Sequence, residues 1–233
     1  GNDLADRGFV TLAEMFGRLA DEMPIDNQRY DIAVIDEAQD LNPAQLKFLA
    51  ALAGRKPNGL FFAGDLGQRI FQQAFSWKSL GVDVRGRSRT LRVNYRTSHQ
   101  IRTRADRLLG KAIADVDGNI DVRHGTVSVF DGPQPVIETF DSHDDEIERI
   151  GEWLRELFNK GVVPDEIGIF VRSEKEIDRA RQAVAQSGTP SSDLNHLLAK
   201  TPGSVSVGTM HLAKGLEFKA VVVMACDDEI IPS

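Results

Sequence analysis

The sequence has a single cysteine, Cys226, in 233 residues. It can therefore form no intrachain disulfide and no cysteine-rich zinc site. A reducing compartment, the cytoplasm, is the expected setting. No run approaches the ~20 apolar residues of a membrane-spanning helix. The start, Gly1-Asn2-Asp3, carries no basic stretch followed by an apolar one, so no signal peptide is legible. There is no initiator methionine, and the chain stops at Pro232-Ser233 just past an apolar run, so both ends are expected to be cut from something longer. Nor is there a basic excess: 28 Lys and Arg against 35 Asp and Glu give a formal charge of −7. That excludes a uniformly basic surface but leaves room for a local basic track.

Several catalytic signatures are missing too. No G-x-x-x-x-G-K-[ST] phosphate loop occurs. Gly81 to Ser88 comes nearest, with Arg87 for the lysine, but lacks a buried strand before it and a helix after it. No G-x-S-x-G elbow supports a serine hydrolase, and no H-E-x-x-H supports a zinc enzyme. Hydrophobic content of 41% and charged content of 27% are ordinary for a globular protein, and the length suits one large or two small domains.

What is present centres on Tyr30 to Asp40, Y-D-I-A-V-I-D-E-A-Q-D. Ile32 to Ile35 predict a strand buried on both faces of a parallel sheet. Asp36, Glu37, Gln39 and Asp40 follow at the carboxyl edge, where open α/β folds hold ligands. Asp36 is placed to hold Mg²⁺, and Glu37 to orient or deprotonate a water. The plainer alternative is a solvated strand end opening a helix, with Asp40 or Asn42 as its cap before Pro43. Leu60 to Ala63 repeat the pattern: an expected buried strand ending in Gly64-Asp65-Leu66-Gly67-Gln68-Arg69. Asp65 could stand behind the metal and Gln68 could sense a phosphate. Ile70, Phe71, Phe75 and Trp77 are core candidates, with Trp77 the best candidate for stacking on a base.

Around these lie alternating elements. Phe9 to Met23 predicts an amphipathic helix with a Thr11/Glu14 capping box, and Pro43 to Ala53 another. Arg85 to Arg107 holds eight arginines against one acid, Asp106. Arginine without lysine points to bidentate phosphate or carboxylate recognition. Within it, Thr90 to Val93 predicts a strand and Gln100 to Leu109 a helix, with Arg96 near its amino end. Gly110 to Gly125 is expected to be a connection. Thr126 to Phe130 and Val136 to Phe140 predict strands, Asp144 to Phe158 a helix, and Ile167 to Val171 a buried strand. Ser173 is expected to cap a helix over Glu174 to Gln186. Val205 to Thr209 and Lys219 to Ala225 predict further buried strands. Strand then helix, repeated, predicts parallel sheets with crossover helices. Between the last two strands, Thr209, His211, Lys214 and Glu217 recur at about three-residue spacing and could share one face of a turn.

Four segments, in order, resemble superfamily 1 DNA helicases of the UvrD/Rep type. V-I-D-E-A-Q-D resembles the family's Walker B motif (motif II), and G-D-L-G-Q-R-I-F its motif III. L-R-V-N-Y-R-T-S resembles motif IV, and V-G-T-M-H-L-A-K-G-L-E-F-K motif V. The resemblance covers about residues 30 to 110 and 203 to 232. It implies two partial RecA-like lobes of a P-loop helicase: residues 1–88 as the later half of lobe 1A, and 89–233 as most of lobe 2A. It implies ATP and Mg²⁺ as cofactors and single-stranded or partially duplex DNA as partner. Asp36 would hold the metal, Glu37 would activate water, Gln68 would couple phosphate to DNA, and Arg96 would act as an arginine finger. Lys214 and Glu217 would help link the second lobe to ATP. Phe71, Trp77, Thr209 and His211 would meet DNA.

Two departures accompany the resemblance. The phosphate loop is expected before residue 1 and motif VI after Ser233. Only 112 residues separate Arg96 from Thr209, which leaves little room for the large 2B insertion of UvrD itself. The expectation is a fragment of a 3′–5′ ATP-driven helicase or translocase, inactive alone. A nucleic-acid-binding module without catalysis, or a metal-dependent nuclease using Asp36, Glu37 and Asp65, are the alternatives.

Overall fold

The computed structural model describes residues 7–23, 30–53, 56–65, 75–108, 126–194 and 200–227, and the backbone of 112–114 and 120–122. The chain divides into two compact units, Gly1–Val136 and Ile137–Ser233. That boundary falls later than the 88/89 division read from the motifs.

In the first unit, helix α1 (Leu12–Glu22) opens with the expected capping box. Thr11 Oγ1 accepts from the Glu14 amide at 3.2 Å, and Glu14 Oε2 accepts from the Thr11 amide at 2.9 Å. Strand β1 (Ala33–Ile35) runs parallel to β2 (Leu60–Phe62), with Val34 opposite Phe61. Helix α2 (Pro43–Ala53) lies between them in sequence. Its start is tied reciprocally, Asn42 Oδ1 to the Gln45 amide and Gln45 Oε1 to the Asn42 amide, both at 2.9 Å. Asn42, not Asp40, thus closes the amino end. A small core of Ala38, Leu46, Trp77 and Val82 gathers Ile35, Leu60 and Phe62.

The expectation that both strands are buried on two faces is corrected here. Val34 is 72% exposed and Phe61 61%. Among the described residues the sheet has two strands and the core lies against one face. Side chains alternate along a strand, so every second apolar residue turns away from that core.

Strand β3 (Val93–Asn94) precedes helix α3 (His99–Asp106), which Ser98 caps. Strands β4 (Ala112–Ala114) and β5 (Ile120–Val122) pair antiparallel, where a plain connection is expected from sequence. Strand β6 (Val127–Ser128) pairs parallel with β3. Val136 to Phe140 forms no strand, and Val136 and Ile137 lie exposed. β-branched residues favour a strand only where a ladder and a packed face receive them.

The second unit is a parallel α/β layer. It comprises α4 (His143–Asn159), β7 (Ile167–Val171), α5 (Ile177–Gln186), β8 (Ser191–Asp193), β9 (Val205–Thr209) and β10 (Ala220–Val223). The sheet order is β10-β7-β9-β8, with every pairing parallel. β7 and β9 are buried along their whole length, as expected for central strands. Ile147, Ile150 and Leu154 of α4 and Ala180, Ala183 and Val184 of α5 fill the core above them. The two helices approach closely at Gly151, where a Cβ would come within 2.6 Å of the Gln186 Cβ. Ser142 caps α4, and Asp144, Asp145 and Glu146 in its first turn suit the helix dipole. Two expectations shift. Ser173 precedes a single 3₁₀ turn, Glu174–Glu176, without a side-chain cap, so the α-helix starts later. β10 is an edge strand whose Val221 and Val223 are half exposed, so the run is buried on one side only.

Candidate functional site

In the first unit the chemistry gathers where β1 and β2 end. Asp36 and Glu37 leave β1 exposed. Glu37 adopts φ 50°, ψ 41°, the left-handed region that costs an L-residue about 1–2 kcal/mol. Such strain persists only where the surroundings over-determine it. Here Asp36 Oδ1 accepts from the Glu37 amide at 2.8 Å, and Gln39 Nε2 donates to Glu37 Oε2 in a short contact. Gln39 is 3% exposed, and its Oε1 accepts from the Asp65 amide at 3.0 Å. The Ala38 amide donates to Ala63 O at 2.9 Å. The two strand ends are thus laced together through one buried amide side chain. Gly64 makes that possible: a Cβ there would lie 2.4 Å from Gln39 Oε1 and 3.1 Å from the Ala38 nitrogen.

Arg96 sits exposed in the turn between β3 and α3. Asn94 Oδ1 accepts from the amides of Arg96 (2.8 Å) and Thr97 (3.1 Å) and shapes that turn. A cavity of about 890 Å³ in this unit is lined by Gln39, Asp65, Trp77, Arg87, Arg89 and Arg96 among others. Asp65 and Arg96 therefore border one space, whereas Asp36 and Glu37 lie off its lining. Gln68 and Phe71 lie outside the described residues.

Trp77 is only 9% exposed and packs edge-on against Phe62, with ring centroids 4.8 Å apart. It belongs to the small core and offers the cavity only its margin. Several of the eight arginines are engaged within the unit, Arg87 with Asn58 Oδ1 at 3.5 Å among them. Arg85 grips Asp83 at 2.8 Å through Nε and holds that carboxyl well below the usual carboxylate range. Arg102 pairs with Asp106 at 2.7 Å. Asp83, just outside the arginine run, was the signal that the run is not wholly free for a ligand.

In the second unit, β9 delivers Thr209 and a 3₁₀ turn, Met210–Ala213, carries His211. Thr209 is 2% exposed, and its Oγ1 lies 3.2 Å from Nε2 of the exposed His211. The pair has an inner and an outer member. Lys214 is half buried, Gly215 turns at φ 81°, and Glu217 is exposed. The loop is anchored at its far end: Lys200 Nζ reaches Glu217 O and stands 4.1 Å above the Phe218 ring, which packs on Phe170.

A second polar cluster, unforeseen from sequence, closes the carboxyl end of β10. Arg179, 9% exposed, meets Glu146 and, at 2.7 Å, Asp227. Burial works against its charge, but Asp227 and Glu146 outweigh burial and raise its pKa. Glu146 Oε1 also accepts from the Ala225 amide at 3.1 Å, where Ala225 turns at φ 55°.

Among the described residues, no three His, Cys, Asp or Glu side chains converge on a metal position. A magnesium ion at Asp36 would take that carboxylate and draw remaining ligands from phosphate and water, which suits its chemistry.

Parallel strands that end in an acid pair, with helices packed on them, define an α/β protein whose candidate site lies at the carboxyl edge of the sheet. Residues 13–77 match the UvrD/REP helicase N-terminal domain family. The chain is 27% identical over 218 residues to "Probable DNA helicase" of Mycoplasma pneumoniae, covering 86% of this chain and 36% of the relative. It is 24% identical over 182 residues to "Putative ATP-dependent DNA helicase YjcD" of Bacillus subtilis, covering 76% of this chain and 23% of the relative. The chain thus spans about a third and about a quarter of these relatives' lengths. Over the matched residues the chain is thus similar to UvrD-type helicases. Among the described residues no helix is long and apolar enough to cross a membrane.

Proposed function

We propose that this chain is part of an ATP-dependent DNA helicase or translocase that couples Mg-ATP hydrolysis to 3′–5′ movement along single-stranded DNA. The observation that carries the reading is the strained, laced strand end at Asp36-Glu37, within the segment that matches the helicase family. Bound magnesium supplies charge neutralisation at the phosphates. Asp36 holds that ion, and Glu37 orients the attacking water and takes its proton. Gln68 reports the state of the terminal phosphate to the DNA track. Arg96 places a guanidinium against developing charge, a role worth ~10³–10⁵-fold in turnover in such enzymes. His211, oriented by Thr209, meets DNA phosphate, and Phe71 and Trp77 border the bases. Lys214 and Glu217 link the second lobe to nucleotide. Motif order assigns 1–88 to lobe 1A and 89–233 to lobe 2A. The setting is cytoplasmic.

The 233 residues hold no G-x-x-x-x-G-K-[ST], so the isolated chain is expected to hydrolyse no ATP. The test is phosphate release by the full-length protein with and without single-stranded DNA, run beside strand cleavage in Mg²⁺ or Mn²⁺ without nucleotide. DNA-stimulated ATP turnover without cleavage supports the proposal. Nucleotide-free cleavage would instead select a nuclease, and salt-sensitive DNA binding without any ATP turnover a plain binding module.

A further inference from the structure

We infer that Gln39 is a positioning residue for Glu37, acting as a two-ended buried tie between the strand ends. The inference rests on the proposed role of Glu37 in activating water. Three observations carry it. Gln39 is 3% exposed, yet both ends of its amide are used: Nε2 donates to Glu37 Oε2 and Oε1 accepts from the Asp65 amide. Glu37 is held in a left-handed backbone that it would leave without support. Gly64 is the residue over which Gln39 Oε1 lies, at a distance that any Cβ would close to 2.4 Å. A glutamine that only filled space would leave its amide unpaired or be replaced by an apolar side chain, since an unpartnered buried amide is costly. Here the amide fixes which way the Glu37 carboxylate points, and it anchors that direction to the end of the neighbouring strand. Free Glu37 would sweep several rotamers. A general base works only within hydrogen-bond reach of the proton that it takes.

The two ends of the tie can be cut separately. Gln39→Glu keeps an acceptor for the Asp65 amide but loses the donor to Glu37 and sets a like charge beside it. Gln39→Met removes both ends at similar volume. Gly64→Ala displaces the Gln39 side chain without changing its chemistry. Amide hydrogen exchange in the 233-residue chain reads the tie directly. The Asp65 amide should be protected in the wild type and in Gln39→Glu, and should exchange freely in Gln39→Met. In the full-length protein, DNA-stimulated ATP turnover reads the consequence. All three variants should lower kcat by ~10–100-fold, the usual effect of removing an outer partner of a working group. KM for ATP should stay within about twofold, because a group that acts in the transition state is affected. Gln39→Met combined with Gly64→Ala should lose no more than the worse single variant, since both break one tie.

Asp65 exchange that is unchanged in Gln39→Met would overturn the tie. Loss of turnover in Glu37→Gln but not in folded Gln39→Met or Gly64→Ala would overturn the positioning role and leave the functional proposal standing. Full turnover in Glu37→Gln would defeat the functional proposal, and the positioning role with it, while the exchange data would still report whether the tie exists.

Discussion

Glu146→Ala should strongly destabilise the second unit. Glu146 is 8% exposed, pairs with the buried Arg179, and satisfies the Ala225 amide. Breaking a buried pair by removing one partner costs about 3–5 kcal/mol, because the remaining charge is stranded. Asp227 stays on Arg179 at 2.7 Å, which favours the lower end of that range, about 3 kcal/mol. The orphaned Ala225 amide adds about 1 kcal/mol to that cost. Asp227→Asn touches the same guanidinium from a side chain that is 38% exposed, and pairs near solvent are worth about 0–1 kcal/mol. The two substitutions should therefore differ by roughly 3–4 kcal/mol. Urea unfolding followed by fluorescence measures this. Trp153 packs against the second unit's core and Trp77 lies in the first, so a Trp77→Phe background isolates the signal. With m about 1–3 kcal/mol/M, the midpoints should separate by roughly 1–4 M. Equal midpoints for the two variants at unchanged m would refute the claim that Glu146 anchors the end of β10.

Two further outcomes follow from perturbed groups. Glu14 is held below its ordinary value of 4.5, first by the Thr11 amide and then by the Thr11 hydroxyl; a depressed carboxylate contributes stability above its ordinary pKa and loses it as pH falls through the folded value. Protection of the first turn of α1 should therefore decline below about pH 4.5, and Thr11→Ala, which keeps the backbone amide but removes the hydroxyl, should weaken that dependence without abolishing it, as amide exchange across an acid titration would show. The Cys226 thiol is pushed up from 9.0 by burial, with Glu146 and Asp227 adding to the effect, and the thiolate is the reactive form. Iodoacetamide should alkylate native Cys226 more slowly than the urea-unfolded chain at pH 8, and Asp227→Asn should quicken the native reaction; equal native and unfolded rates would contradict this.

The legible parts of the fold were those where local pattern and tertiary setting agree. Ile167 to Val171 and Val205 to Thr209 read as buried strands and lie at the centre of a parallel sheet. Thr11 and Glu14, or Pro43 after Asn42, announce helix starts because capping is settled within a few residues. The misread parts depend on neighbours distant in sequence. Val34 and Val221 sit in runs as apolar as those of β7 and β9, yet each faces away from its core. Ser191-Ser192-Asp193 has no strand propensity and becomes β8 because β9 offers it a ladder. At the site, the acids were visible as residue types. The left-handed turn at Glu37 was not, since no glycine marks it. Gln39 stood in plain view among the acceptors, but its partner Asp65 lies 26 residues away. Gly64 beside an acid was the one clue, and a close approach of backbone and side chain is what it records.

The most direct test of the central claim is Mn²⁺ binding, read by electron paramagnetic resonance on the full-length protein, with and without ATP. Asp36 at the end of β1 is proposed to hold a metal that arrives with nucleotide, so tight Mn²⁺ binding should require ATP and should weaken in Asp36→Asn while Asp65→Asn leaves it nearly intact. Tight Mn²⁺ binding without nucleotide, lost equally in Asp36→Asn and Asp65→Asn, would contradict the motor reading and place the ion in a cage of the protein's own carboxylates.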